Sequence, residues 1–318
     1  MIEIRRILCP VDFSDCSRRA LDHAVAVARR YESTITALHV FSTAPVAAYA
    51  HGAPGPDATA LTRADRDQQL DEVRRVSVLA EVRRFCEAGL AAGIPFDAVV
   101  REGTAAGEIL DQATDMKADL LVMGTHGRSG LDRLLLGSVT EKVLRKANCP
   151  VLTVPPQHPD AVPASPVLFK QILCPVDFSD CSMEALRYAT SLAQEADAHL
   201  AVLHVLSFEL DTAPDVDNAI LTDDGMTVGD YRRQREEEAW RRLKEAVPGT
   251  VAEYCSVETL VASGKPSREI LRVAAERQTD LIVVGVHGRG AVERMFFGST
   301  TNHVVRHAQC PVLTLRRH

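Results

Sequence analysis

The feature that most constrains this chain is a duplication. ILCPVDFSDCS occupies residues 7–17 and returns letter for letter at 172–182. HVF at 39–41 answers HVL at 204–206, again 165 residues on. EGTAAGEIL (102–110) answers SGKPSREIL (263–271), GTHGRSGLDRLLLGS (124–138) answers GVHGRGAVERMFFGS (285–299), and NCPVLTV (148–154) answers QCPVLTL (309–315), each 161 residues on. The second copy has therefore lost a net four residues in its middle. A period this long means two whole domains rather than a solenoid of small units, and 318 residues divide into two domains of ordinary size. PPQHPDAVPASP (155–166) lies between the copies, and its five prolines favour an extended, semi-rigid linker. The expected division is 1–155, a linker at 156–168, and 169–318.

Within each copy the pattern alternates between strand and helix. RRILCPV (5–11) is a short apolar run ended by Asp12. Ser14 or Asp15 can cap a helix whose stripe is Ala20, Leu21, Ala24, Val25 and Ala28. TITALHVF (34–41), PFDAVVR (95–101), DLLVMG (119–124) and PVLTV (150–154) read as further strands. A charged helix is expected from about Asp65 to Ala92, with Leu70, Val73, Val76, Val82 and Phe85 as its apolar side, and another over 105–114. The unbroken apolar character of DLLVMG implies burial on both faces. The expected fold class is α/β: two tandem, doubly wound, five-stranded parallel-sheet domains of Rossmann-like type. Such sheets take ligands beyond the carboxyl ends of their strands, where the winding reverses, and Asp12 and Gly124 both follow strands at that edge.

Charge excludes some partners. With 36 Lys and Arg against 43 Asp and Glu, the net charge of −7 offers no broad basic footprint for nucleic acid. No apolar run approaches the ~18–20 residues that span a bilayer, and the opening MIEIRRILCPVDF lacks the layout of a signal peptide. A cytoplasmic location, without membrane or nucleic-acid partners, is the expectation. Six of the eight cysteines fall in repeat-equivalent pairs (Cys9/Cys174, Cys16/Cys181, Cys149/Cys310), with no CxxC or zinc-module spacing, which favours reduced thiols.

The loop after the fourth strand carries the chemistry. Gly124-Thr-His-Gly127, nine residues, then Gly137-Ser138 is matched by Gly285-Val-His-Gly288, nine residues, then Gly298-Ser299. Glycines here permit close backbone approach to a ligand, and the helix that follows presents unpaired N–H groups, a site for anions and phosphate above all. Arg128/Arg133 and Arg289/Arg294 add positive charge nearby. A purely structural strand–helix connector would use the same glycines.

The pattern G-2x-G-9x-G-[S/T], combined with V-D at the end of the first strand and the CPVLTV ending, resembles the universal stress protein family in its ATP-binding branch. The resemblance covers both halves, so the chain resembles a tandem member of that family, with an adenine nucleotide alpha-hydrolase-like fold. It implies that Asp12 and Asp177 lie near the ribose and adenine of ATP, and that Val40 and Val205 flank the adenine. Gly124, Gly127, Gly137 and Ser138, with Gly285, Gly288, Gly298 and Ser299, match the phosphate loop. Thr140 and Thr301 would add hydroxyl contacts. Pro10, Val11, Pro175 and Val176 beside the aspartates, and His126, Arg128, Val139, His287, Arg289 and Thr300 around the glycines, complete the candidate set. Magnesium would enter through the phosphates. The sequence departs from the family's G-x-P in the third loop, where Gly264-Lys-Pro266 keeps it and Gly103-Thr-Ala105 does not. Thr125 against Val286 is a second difference between the halves.

Structural readings stand beside these. Asp12 could cap the helix after it. Ser138 with Glu141 forms the S-x-x-E of a capping box, with Asn302 in place of the glutamate in the second copy. Val40 could be core alone, and His126 and His287 could be solvated or backbone-bonded rather than ligands or bases. The favoured function is a nucleotide-binding stress-response regulator. One alternative is a slow ATP hydrolase, although GxxxxGK[ST] is missing and each site has one motif carboxylate. Another is a redox sensor through Cys16 and Cys181, placed where a helix dipole lowers a thiol pKa. The fifth strand is an apolar sheet edge that needs cover, and the resemblance implies that such edges pair between domains. An intrachain pseudo-dimer through 149–155 and 310–316 is expected, with dimerisation of whole chains beyond it.

Overall fold

The structure is a computed structural model that describes residues 2–41, 63–87 (backbone only over 63–71), 90, 93–127, 136–156, 169–207, 217, 226–247, 255–286 and 297–316. The first half runs β1 (Arg6–Pro10), α1 (Asp15–Tyr31), β2 (Thr34–Phe41), α2 (Arg63–Glu87), β3 (Phe96–Glu102), α3 (Ala105–Asp115), β4 (Leu120–Gly124), α4 (Ser138–Lys146) and β5 (Val151–Val154). The second half repeats it as β6 (Gln171–Pro175), α5 (Asp180–Ala196), β7 (His199–Leu206), α6 (Val228–Ala246), β8 (Ser256–Ser263), α7 (Pro266–Glu276), β9 (Leu281–Gly285), α8 (Ser299–His307) and β10 (Val312–Leu315). The proline-rich linker expected at 156–168 lies outside the described residues beyond Pro156.

Strand order is β3-β2-β1-β4-β5-β10-β9-β6-β7-β8 in one ten-stranded sheet. Every pairing within a half is parallel, as the alternating pattern predicts, and the winding reverses between β1 and β4 and between β6 and β9. Ile7 and Cys9 face one core and Leu8 the other, all three with no exposure, because helices cover both sides. α1, α2, α5 and α6 pack on the first face, through residues such as Leu21, Val82, Leu186 and Leu243. α3, α4, α7 and α8 pack on the second, through Ile109, Leu144, Ile270 and Val304.

α1 shows how local chemistry sets an element. Ser14, in extended conformation, accepts at Oγ from the Ser17 amide (3.2 Å) and so caps the helix, with Asp15 in the first turn and Arg29 and Arg30 in the last. Its predicted stripe from Ala20 to Ala28 is buried. α2 spans Arg63–Glu87, and the end expected near Ala92 lies outside the described residues. On its apolar side it departs from expectation, since Val73 and Val76 are 64% and 58% exposed while Val82 is buried. The reason is length. A 25-residue helix spans ~37 Å, whereas the eight residues of β2 span ~26 Å, so the helix outruns the sheet it covers.

The two halves join where β5 meets β10, antiparallel, with Val312 opposite Thr153, Leu313 opposite Leu152 and Thr314 opposite Val151. The expected pairing of 149–155 with 310–316 is thus present, centred on these residues. Thr153 Oγ1 donates to the Val312 carbonyl (3.1 Å) and Thr314 Oγ1 to that of Val151 (3.2 Å), which satisfies both buried hydroxyls. Arg316 crosses the seam to donate to the carbonyls of Leu144 and Arg145 at the end of α4, where a cation also suits the helix dipole.

Candidate functional site

The chain leaves β1 through a turn built on Asp12. Its Oδ1 accepts from the Ser14 amide (3.1 Å) and the Ser14 hydroxyl (2.5 Å), and its own amide donates to Ser17 Oγ (3.4 Å). The helix cap is therefore Ser14, and Asp12 orders the cap rather than being it. Phe13 sits in the left-handed region at φ 66°, which turns the chain sharply between strand and helix. His39 on β2 closes the turn from behind: its Nδ1 donates to the Val11 carbonyl (2.7 Å), and its ring lies 4.6 Å from that of Phe13. The second half repeats each contact. Asp177 Oδ1 lies 3.0 and 2.6 Å from the Ser179 amide and hydroxyl, Phe178 has φ 62°, and His204 Nδ1 is 2.7 Å from the Val176 carbonyl. Val11 and Val176 bury their side chains, Pro175 is buried and Pro10 half-buried.

Beside this turn β4 ends at Gly124. Its carbonyl accepts from Thr140 Oγ1 (2.9 Å), and the carbonyl of Thr125 accepts from the Gly137 amide (2.8 Å), which bolts the start of α4 beneath the strand end. Thr301 to Gly285 (2.8 Å) and Gly298 to Val286 (3.0 Å) do the same in the other half. The hydroxyl protons of Thr140 and Thr301 are thus committed to main chain, and both side chains are buried. Gly137 caps α4 and Gly298 caps α8 with no side-chain hydrogen bond in either case. The S-x-x-E capping box at Ser138 and Glu141 does not form, because Ser138 is already the first helical residue. Ser138 and Ser299 are exposed, and Glu141 reaches instead to Arg145 (2.7 Å) and, across the seam, to Arg306 (3.7 Å). Among the described residues neither helix N-terminus carries a side-chain cap, and both lie at the carboxyl edge of the sheet, each favourable for an anion.

The two features converge at Gly127. A β-carbon built there would lie 2.6 Å from Asp12 Oδ2, so the missing side chain of the loop glycine lets main chain lie against the carboxylate. Val40, Val139 and Val205 are partly buried against the second-face core, and Thr300 is half-buried on the first turn of α8. His126 Nδ1 lies 2.9 Å from Thr125 Oγ1, while its Nε2 is buried without a partner; Val286 offers no such hydroxyl. Arg128, Arg133, His287, Gly288, Arg289 and Arg294 lie outside the described residues. In the third loop, Gly103 and Gly264 take φ 149° and 141° after β3 and β8, and their amides donate to the ends of β2 and β7. Pro266 opens α7, whereas Ala105 opens α3. The residues that sequence reasoning passed over are His39 and His204. Their identical place in HVF and HVL was the available signal.

All eight cysteines are free. Cys16 is buried, its Sγ 3.4 Å from the Val154 carbonyl, so it faces the helix–sheet interface. Burial pushes the thiols of Cys149 to about 11 and of Cys86 and Cys310 to about 12, far from thiolate chemistry at neutral pH. Among the described residues no group of three His, Cys, Asp or Glu is placed to hold a metal, and no helix is long and apolar enough to cross a membrane.

The profile of the universal stress protein family matches residues 3–155 and again 168–316. A universal stress protein of Methanocaldococcus jannaschii is 35% identical over 150 residues, covering 47% of this chain and 81% of that protein. One from Mycolicibacterium smegmatis is 27% identical over 313 residues, 98% of this chain and 96% of its own length. The crystal structure of a universal stress protein from Archaeoglobus fulgidus superposes with a TM-score of 0.64 at 25% identity, covering 98% of both chains.

Proposed function

We propose that this chain, which belongs to the universal stress protein family and carries the family's domain twice, binds an adenine nucleotide in each half and acts as a nucleotide-responsive regulator. The observation that carries the reading is the approach of Gly127 to the carboxylate of Asp12, beside a helix start that no side chain among the described residues caps. Asp12 and Asp177 would accept from ribose hydroxyls. Main-chain amides at Gly127 and Gly288 and in the first turns of α4 and α8 (Ser138, Val139, Ser299 and Thr300), with the hydroxyls of Ser138 and Ser299, would hold phosphate oxygens, while Gly137 and Gly298 shape the approach to those turns. Val40 and Val205 offer apolar contact to the base. Magnesium, entering with ATP, would supply charge neutralisation on the phosphates.

Binding is favoured over turnover because the sequence carries neither a P-loop lysine nor a second motif carboxylate to position a nucleophile. The proposal includes domain boundaries at 155 and 169, a cytoplasmic location and association of whole chains as dimers. Its test is mass spectrometry of small molecules released from gently purified protein, followed by calorimetry of the stripped chain. Two sites for ATP are expected, with Gly127→Ala weakening the one in the first half by about tenfold. No heat with millimolar adenine nucleotides would overturn the reading.

A further inference from the structure

Where α1 and α5 meet over the seam, on the opposite side of each half from the glycine loops, the two helices leave a gap above a buried leucine floor. A small, partly open cleft has Leu120, Leu152 and Leu313 as its floor. Its walls are the rings of His23, Phe169 and Tyr188, and Ala26 on α1 and Ala196 on α5 leave it unfilled. Leu120 begins β4, and the residues from α1 belong to its second half, so the cleft lies toward the amino ends of the strands, away from Asp12 and Gly124. It straddles the pseudo-twofold relation between the halves: His23 corresponds to Tyr188, Ile4 to Phe169 and Arg30 to Glu195, each 165 residues apart. The copies keep the leucine floor and differ at the walls.

The charged groups at the cleft's edge are already engaged. Arg30 donates to the main-chain carbonyl of Glu195. The Glu195 carboxylate accepts from the Ile2 amide (3.2 Å) and the Ser191 hydroxyl (3.0 Å), and also bonds the Tyr31 phenol. His23 differs. Its ring stacks on Phe169 at 6.1 Å and 11°, it makes no hydrogen bond among the described residues, and burial keeps it uncharged at neutral pH. An apolar cavity with aromatic walls and one neutral imidazole to share a proton disfavours ions, since an unpaired charge is costly to bury, and Arg30 at its edge turns its N–H groups to a main-chain carbonyl. It suits a ring, which gains from edge and face contacts with its aromatic neighbours.

We infer that the cleft between α1 and α5 is a second ligand site, independent of the nucleotide sites, for a small uncharged aromatic alcohol whose ring lies over Leu152 and Leu313 and whose hydroxyl bonds His23. Both halves supply walls, so an occupant binds only the joined pair and stabilises the seam by mass action.

The test uses the full chain and fluorine NMR with three probes: 4-fluorophenol, fluorobenzene and 4-fluorobenzoate. The phenol is expected to bind at sub-millimolar concentration, fluorobenzene about five- to tenfold more weakly for want of one hydrogen bond, and the benzoate not at all. Ala26→Phe and Ala196→Phe each fill the cleft from a different helix, and whichever keeps the wild-type melting profile should lose phenol binding by more than about tenfold. His23→Leu should bring the phenol down to the level of fluorobenzene and leave fluorobenzene unchanged. The inference is overturned if the phenol fails to bind at millimolar concentration, if a folded cleft-filling variant binds it like wild type, or if the benzoate binds as well as the phenol. None of these outcomes depends on whether nucleotide binds.

Discussion

Gly124 is pressed against Cys16 in the first turn of α1, so that a β-carbon there would stand 2.8 Å from Sγ and 3.1 Å from the main-chain carbon. Gly285 meets the main chain of Cys181 in the same way, at 2.8 Å. Gly127 has no such neighbour in the helix and faces Asp12 Oδ2 instead. Two glycines of one motif thus exist for different reasons, the first to let a helix approach a strand end and the second to keep main chain beside a carboxylate.

Alanine scanning should separate them. Gly124→Ala forces the start of α1 away from β4 and is expected to cost ~1–3 kcal/mol, the usual range for overpacking. Gly127→Ala should leave the melting temperature nearly unchanged while displacing the Asp12 carboxylate, and should weaken nucleotide binding in the first half by about tenfold, a loss of ~1.4 kcal/mol. Thermal melts and calorimetry on the two variants decide this. Equal melting temperatures for Gly124→Ala and wild type would contradict the packing role.

The seam makes a second prediction. β10 lies between β5 and β9, so each of its amides bonds one neighbour or the other, and Leu313 is buried opposite Leu152. Leu313→Pro removes an N–H from a central strand, a position sheets do not tolerate. The halves should then separate, and the radius of gyration from X-ray scattering should rise while far-ultraviolet dichroism is largely kept. A scattering profile as compact as wild type would show that the seam does not depend on strand pairing.

A third concerns pH. Burial, reinforced by Arg19, lowers the pKa of His23 to about 4, against ~6.5 in an unfolded chain. Between those values the unfolded state holds a proton that the folded state does not, so acid favours unfolding. The contribution is complete above pH ~6.5 and is lost as the pH falls toward 4. Because the imidazole is only partly enclosed, the loss should be ~2 kcal/mol rather than the full ~3 that the shift implies. Urea midpoints at pH 7.5 and 4.5 should fall further in wild type than in His23→Leu. Equal falls would mean that His23 accepts its proton within the fold.

Duplication, the doubly wound parallel sheet and the seam were legible because each rests on patterns that local sequence states twice: unbroken apolar runs in the strands, an apolar edge that must be covered, and a stripe from Ala20 to Ala28 that is buried as expected. Val73 and Val76 were misread because periodicity shows which side of a helix is apolar, not how far the sheet beneath it extends. Glu141 was misread as a capping partner because S-x-x-E presumes that the serine precedes the helix, whereas Gly137 takes that place. Cys16 against Gly124, and the cleft between α1 and α5, depend on how elements from distant parts of the chain meet. No local pattern encodes that distance.

The two helix starts proposed to hold phosphate differ in one charge. α4 carries Glu141 in its first turn, while α8 has Asn302 at the equivalent position and no acidic residue there. A carboxylate near a helix start offsets the dipole that would attract phosphate, an effect of ~0.3–1 kcal/mol at low ionic strength. Arg145 at 2.7 Å and Arg306 at 3.7 Å mask part of the charge, so the lower end of that range applies. Glu141→Asn should therefore tighten ATP binding in the first half by somewhat under about twofold at low salt, and Asn302→Glu should weaken the second half by a similar factor. Both effects should shrink toward nothing in 0.5 M salt, where the Debye length is only ~4 Å. Calorimetric titrations of the two variants at low and high salt test the pair together, and a tightening that survives high salt would place its origin in packing at the seam rather than in the field of the helix.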